Sequence, residues 1–212
     1  MTELAQEKLQ PPRLALVIGS GAVKCAAALG LWKVLAREGL QVDLLVGCSG
    51  GSLFAASMAL GYDLERCIAL TQQLWDRQVT AKRDWESLLR AVFPGTFHFD
   101  QRFGMISDRP MRERLEAIFG ALTFSDAQTP LMVAATDFQS GEQVVLDSGS
   151  LVDALRASIA IPMIFPPWEI GGRLLVDGAV SDPLPVDVAI REGAELIVAM
   201  GFDLPVRHRL RS

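Results

Sequence analysis

The sequence predicts an α/β fold, a three-layer α/β/α arrangement around a mostly parallel central sheet, and three observations predict it. Short continuous apolar runs alternate with helix-patterned segments along the chain, as expected for strands covered on both faces. Half of the 212 residues are hydrophobic and 21% are charged, which leaves ample apolar surface for a core on each side of a sheet. The length suits one domain, and repeats are not expected.

Residues 1–13 read as a flexible N-terminal arm ended by Pro11 and Pro12. Residues 14–18 form a continuous apolar strand. Gly19-Ser20-Gly21 interrupts it, and residues 26–38 form an alanine-rich helix closed by Gly39, with Arg37 near its negative end. A second cycle follows, with a strand at 43–46, a turn at 47–51 and a helix at 52–60 that Gly61 stops. Residues 63–122 are an insertion, helical in composition and without a good strand. Its centre, 93–105, concentrates aromatics, Gly and Pro in a long irregular loop suited to cover or flank a site. Strands at 131–136 and 143–146 resume the sheet, and a short helix at 153–158 ends before Pro162. A strand at 173–176, a helix at 186–192 stopped by Gly193 and a strand at 196–200 complete it. The domain therefore spans 14–205, with a charged tail at 206–212.

Composition excludes several functions. Twenty Lys and Arg against 25 Asp and Glu give a net charge of −5, so no basic excess favours nucleic acid. Cys25, Cys48 and Cys67 have no CxxC spacing, and with two histidines they predict reduced thiols and no metal site. The N-terminus lacks the apolar stretch of a secretory signal, so the cytoplasm is the expected location. The uncharged run 44–61 reaches the lower length limit of a membrane span. Its four glycines and three serines instead predict a buried strand, turn and helix.

Gly47-Cys48-Ser49-Gly50-Gly51 fits GxSxG at a strand-to-helix junction. A sharp turn there lifts a serine hydroxyl clear of the sheet, and glycines on either side avoid clashes with the neighbouring elements. The N–H groups that open the helix, Gly50 among them, add partial positive charge near a developing oxyanion. The competing reading is a plain glycine-rich turn. Serine also needs a base. His98 lies in the irregular loop and His208 in the tail, and neither follows a strand end, so a carboxylate becomes the candidate. Asp177 directly follows the apolar residues 174–176 and precedes Gly178-Ala179; in a parallel sheet its carboxylate would share the carboxyl-end edge with Ser49. Partial desolvation would raise its pKa and make it a better base, and the alternative is an Asx turn. The backbone of Gly19-Ser20-Gly21-Ala22 can present donors to an oxyanion. A dinucleotide loop is the rival there, but Lys24 stands where GxGxxG needs its third glycine. Cys48, beside the apex, reads as buried packing, as do Trp32 and Trp168. Phe93, Phe97, Phe99 and Phe103 could line an acyl pocket, meet a lipid surface or pack on one another.

A glycine loop after the first strand, a GxSxG elbow and a late Asp177-Gly178-Ala179 occur in that order, and together they resemble the patatin-like phospholipase family. The likeness extends from about Leu14 to Asp203 and includes Thr136-Asp137-Phe138-Gln139-Ser140-Gly141, Ala157-Ser158-Ile159-Ala160-Ile161-Pro162 and Phe165-Pro166-Pro167. The resemblance implies a patatin-like α/β/α fold and a serine acyl hydrolase with a Ser-Asp dyad. Ser49 would be the nucleophile and Asp177 the base that also protonates the leaving group. Gly19, Ser20, Gly21 and Ala22 would supply the oxyanion hole, with Lys24 where the family usually has a basic residue. The chain departs from the pattern at Cys25 and Ala22, which replace glycines, and at Pro183, which replaces an asparagine. The expected function is hydrolysis of carboxylic esters in a lipid or small acyl-ester substrate, with no cofactor. An acyltransferase using the same serine and a non-catalytic lipid-binding protein are the alternatives. Peripheral membrane contact stays open, and nothing in the sequence fixes an oligomeric state.

Overall fold

The computed structural model describes residues 11–74, 104, 105 and 107–202. Strand β1 (Leu14–Ile18) passes through a 3-10 turn (Ala22–Ala26) into helix α1 (Ala27–Arg37). There follow β2 (Leu44–Cys48), α2 (Gly50–Ala59), α3 (Leu64–Leu74) and α4 (Arg109–Phe119). The second half runs β3 (Leu131–Asp137), β4 (Gln143–Leu146), α5 (Leu151–Ser158), β5 (Trp168–Ile170), β6 (Arg173–Asp177), α6 (Val186–Arg191) and β7 (Leu196–Met200).

The mostly parallel sheet is present. Strands β3, β2, β1 and β7 are parallel neighbours, while β4 and β6 pair antiparallel with β3, and β5 with β6. Every residue of β1 and β2 is buried, because alternate side chains enter two different cores. Leu14, Leu16 and Ile18 point to the thick side, where buried residues of α1 to α5 gather. Ala15, Val17, Leu44 and Val46 meet Val188 and Ala189 of α6 on the thin side. The layers are therefore three, and unequal.

The uncharged run 44–61 is a buried strand, turn and helix: all ten residues of α2 are buried. Among the described residues no helix is long and apolar enough to cross a membrane. Two helices start earlier than expected for local reasons. Helix α2 starts at Gly50 rather than 52, so the glycines belong to its first turn. Helix α5 starts at Leu151 because the Ser150 hydroxyl accepts the Asp153 N–H. Strand β5 was not anticipated; it forms a hairpin with β6 through Gly171-Gly172, both at positive φ (58° and 79°). Arg13, assigned to the flexible arm, is fastened, since its carbonyl accepts the N–H groups of Glu195 and Leu196. Residues 93–103 of the insertion's centre and the tail 206–212 lie outside the described residues.

One cation sits inside this frame. Arg156 on α5 is fully buried, pairs with Asp108 at 3.1 Å and donates to the Pro166 carbonyl at 3.1 Å. Its guanidinium also lies 5.4 Å from the rings of both Phe165 and Trp168. Asp108 precedes α4, so the pair ties α4 to α5 and to the segment leading into β5. Removing one partner of such a pair leaves a buried charge without compensation. Asp108→Ala is expected to cost about 3 kcal/mol in urea unfolding. Arg191→Ala, which breaks an exposed pair with Asp187, is expected to cost less than about 1 kcal/mol.

Candidate active site

The site forms where two strands stop. On β3, Ala134 pairs with Cys48 of β2 on one edge and with Val145 of β4 on the other. The next residue, Ala135, pairs with Val144 of β4 and with Asp177 of β6. Strand β4 occupies one edge throughout, so β2 and β6 share the other and meet end to end. The expectation that a parallel sheet brings Asp177 beside Ser49 is corrected here: β6 runs antiparallel, and its last residue arrives head-on against the end of β2. The burial pattern of β6 reveals that it is a strand but not its direction, which follows from the β5–β6 hairpin.

Ser49 follows β2 at φ 53° and ψ −127°, a backbone conformation that side chains rarely adopt. Its neighbours permit it. A Cβ on Gly47 would lie 2.4 Å from Ser52 Cα, and one on Gly51 2.2 Å from the Ile18 carbonyl. The Ser49 hydroxyl donates to Asp177 Oδ2 at 2.7 Å. Asp177 Oδ1 accepts the Ala179 N–H at 2.9 Å, while its backbone is held by the Ala160 carbonyl and by the Thr136 hydroxyl. Only 3% of Asp177 is exposed, and burial raises its pKa above the ordinary 3.8, against the lowering effect of the bonds from Ser49 and Ala179. The arrangement is a hydroxyl held against a carboxylate whose proton affinity is enhanced.

The glycine loop lies directly on the start of α2. A Cβ on Gly50 would stand 2.7 Å from the backbone of Ala22. Not all of the four expected donors are free. The Gly19 N–H is used by the Met200 carbonyl at 3.0 Å and the Ser20 N–H by the Pro183 carbonyl at 2.8 Å. The N–H groups of Gly21 and Ala22 have no acceptor among the described residues. Lys24 is exposed, with Nζ 6.0 Å from the centroid of the Phe202 ring. Cys48 is buried, its thiol donates to the Asp182 carbonyl at 3.4 Å, and burial together with Asp177 pushes its pKa far up. The buried, protonated thiol fills the space below the apex. Trp32 and Trp168 are half-buried against the cores. His98, His208, Phe93, Phe97, Phe99 and Phe103 lie outside the described residues.

Asp137, in a segment that supports the family resemblance, has a structural place. It accepts the N–H groups of Gln139 and Ser140 and pairs with Arg173 at 2.8 Å, which lowers its pKa to about 2. Ser158 is a polar contact that the motifs do not assign: its hydroxyl accepts the Ser49 N–H at 2.9 Å and donates to the Ala134 carbonyl at 2.7 Å. Its signals are a serine at the end of an otherwise apolar helix face and its place in the stretch Ala157–Pro162 that supports the resemblance, neither of which assigns it a partner.

A GxSxG serine on a strained strand-to-helix turn at the end of a mixed sheet has the geometry of the elbow found in one class of α/β proteins. The chain belongs to the patatin-like phospholipase family, whose model matches residues 16–190. An uncharacterized NTE family protein of Mycobacterium tuberculosis is 29% identical over 192 residues, covering 91% of this chain and 49% of the relative. The human patatin-like phospholipase domain-containing protein 6 is also 29% identical over 192 residues, covering 88% of this chain and 13% of the relative. The chain thus spans about half the length of the mycobacterial relative and a small part of the human one. Among solved structures, VipD from Legionella pneumophila shares the fold with a TM-score of 0.54 at 16% identity, over 83% of this chain and 47% of that one.

Two outcomes follow from the geometry. The unfolded chain ionises Asp177 more readily than the folded one, so this residue's contribution to stability is present below pH 3.8 and is lost as pH rises through the higher folded pKa. Asp177→Asn is therefore expected to unfold at a higher temperature than wild type at pH 7, with the advantage vanishing below about pH 3.8. In the loop, Ala22 sits at φ 49°, where glycine carries no strain. Ala22→Gly is expected to be neutral or to stabilise by up to about 1 kcal/mol, and Gly50→Ala to cost about 3 kcal/mol, both read by denaturant titration.

Proposed function

We propose that the chain is a lipid acyl hydrolase that cleaves carboxylic esters through a Ser49 acyl-enzyme, with Asp177 as base. The observation that carries this reading is the 2.7 Å contact between Ser49 Oγ and a buried carboxylate of raised pKa. Ser49 attacks the ester carbonyl while Asp177 takes its proton, and a tetrahedral oxyanion forms. Asp177 gives that proton to the departing alcohol. Water then attacks the acyl-serine, Asp177 again holding the proton and returning it to Ser49 as the free acid leaves. The N–H groups of Gly21 and Ala22, with the first turn of α2 at Gly50, are the donors proposed for the oxyanion. Gly19 and Ser20 act by fixing that loop through their bonds to Met200 and Pro183. Lys24 stays at the edge as a basic group for a polar head.

A lipid substrate is supported by the family and by the rim of the site. Val23 follows Ala22, Ile161 and Met163 follow the residue that holds the Asp177 N–H, and Val180 ends the turn after Asp177; all four are exposed. Large apolar side chains left in water around a nucleophile suit an acyl chain or a lipid surface.

Ser49→Ala and Asp177→Asn are each expected to lower turnover of a chromogenic acyl ester by about 10⁴-fold or more, with unchanged circular dichroism. Free acid is the expected product; transfer to an added alcohol would make the chain an acyltransferase. Mass spectrometry after fluorophosphonate treatment should find one adduct, on Ser49. An adduct on Cys48, or none, would overturn the reading.

A further inference from the structure

The contact between Ser158 and Ser49 continues the sheet by other means. The Leu45 N–H donates to the Pro130 carbonyl at 2.9 Å. In a parallel ladder alternate residues face a given neighbour, so the next donors of β2 toward β3 are Gly47 and then Ser49. The acceptor that the register assigns to Ser49 is the Ala134 carbonyl, two residues beyond Met132. The direct bond is not made. Instead the Ser158 hydroxyl stands between them, accepting from Ser49 N–H at 2.9 Å and donating to Ala134 at 2.7 Å. A side-chain oxygen thus joins the two chains at this rung, directly beyond the last ladder pair, Cys48 and Ala134. The bridge falls at the residue that turns to φ 53°, and one position before Ala135, the partner of Asp177.

We propose that Ser158 is a positioning residue, a spacer spliced into the β2–β3 ladder that sets the height and direction of Ser49 toward Asp177. The proposal rests on Ser49 being the nucleophile only for its kinetic consequence. The hydroxyl's one donor and one of its two lone pairs are committed, and the side chain is fully buried, so it does not touch substrate. Without it, the Ser49 N–H and Ala134 carbonyl either stay unpaired in the core or close on each other, and both outcomes move the apex away from the carboxylate.

The test compares Ser158→Ala, Ser158→Thr and a control, Ser57→Ala, which also removes a buried hydroxyl bonded to a backbone carbonyl, that of Leu53 within α2. Ser158→Ala is expected to lower kcat about 100-fold with KM within about twofold, and to slow fluorophosphonate labelling of Ser49 by the same factor. Ser158→Thr, which keeps the hydroxyl, should recover most of the rate, and Ser57→Ala should lose thermal stability but not kcat. Should Ser158→Ala fail to fold, Ser158→Cys, with a weaker donor and acceptor, is read the same way. Wild-type kcat in the Ser158 variant, or an equal loss in the Ser57 control, overturns the spacer. A crystal structure of Ser158→Ala gives the answer without catalysis. Ser49 Oγ and the Asp177 carboxylate should separate beyond about 3.5 Å, and retention of their hydrogen bond overturns the proposal. An unlabelled wild-type Ser49 alongside a displaced apex in the variant would instead sink the hydrolase and leave the spacer standing.

Discussion

The structure depends on two strands ending against one another along a single edge of β3. Strand β2 stops opposite Ala134 and β6 opposite Ala135, so no residue of either ladder separates the serine from the aspartate. The junction has room for backbone and little else. A Cβ on Gly178 would lie 2.5 Å from the Ala134 carbonyl and 3.0 Å from the Cys48 sulfur. The glycines of the elbow and of the Asp177-Gly178 turn are thus two halves of one steric requirement, far apart in sequence and adjacent in space. The small residues Ala134 and Ala135 let both arrivals fit.

Two aspartates close neighbouring strands, and their surroundings assign them opposite tasks. Asp137 ends β3 beside a guanidinium and two backbone donors, which hold its carboxylate far toward the charged form. Such a group accepts hydrogen bonds and fixes a turn; it is a poor proton acceptor at neutral pH. Asp177 ends β6 with no cation against it among the described residues, and desolvation outweighs its two hydrogen bonds. With no cation beside it to hold the charge, this carboxylate takes up a proton more readily than Asp137 does, as the proposed role of base requires. The enhanced basicity is also a local cost to the fold, of the kind catalytic centres carry.

Most of the fold was legible because its signals are local. The apolar runs at β1, β2, β3 and β7, the glycine stops after α1, α2 and α6, and the GxSxG junction each follow from a few consecutive residues. Ser49 and Asp177 could be named for the same reason: each follows a buried strand and precedes a tight turn. Direction was not legible. The residues Leu174 to Val176 are equally apolar in either orientation, and only the hairpin at Gly171-Gly172 fixes which way β6 runs. Hydrogen-bond accounting in the glycine loop was hidden too, since the partners of Gly19 and Ser20 lie near the far end of the chain, at Met200 and Pro183. Ser158 escaped because its function comes from a register between two strands to which it does not belong.

The departures of the loop from the family pattern are compensated in place. Cys25, where a glycine is usual, is buried, and its thiol donates to the Gly19 carbonyl at 3.4 Å. Burial pushes that thiol up to about 12, so it remains protonated and keeps the donor role across the neutral range. The added side chain therefore ties the loop to itself rather than crowding it. Ala22 accepts a positive φ that costs about 1 kcal/mol, and its backbone rests against Gly50, which has no Cβ to oppose it. The Pro183 carbonyl takes up the Ser20 N–H from outside. With Gly19, Ser20 and Cys25 all occupied in holding the turn, Gly21 and Ala22 are the residues of Gly19–Ala22 whose N–H groups have no acceptor among the described residues, at the point where the loop meets the first turn of α2. A loop altered at two glycine positions can thus remain rigid against the first turn of α2, which is what the oxyanion hole proposed above requires of it.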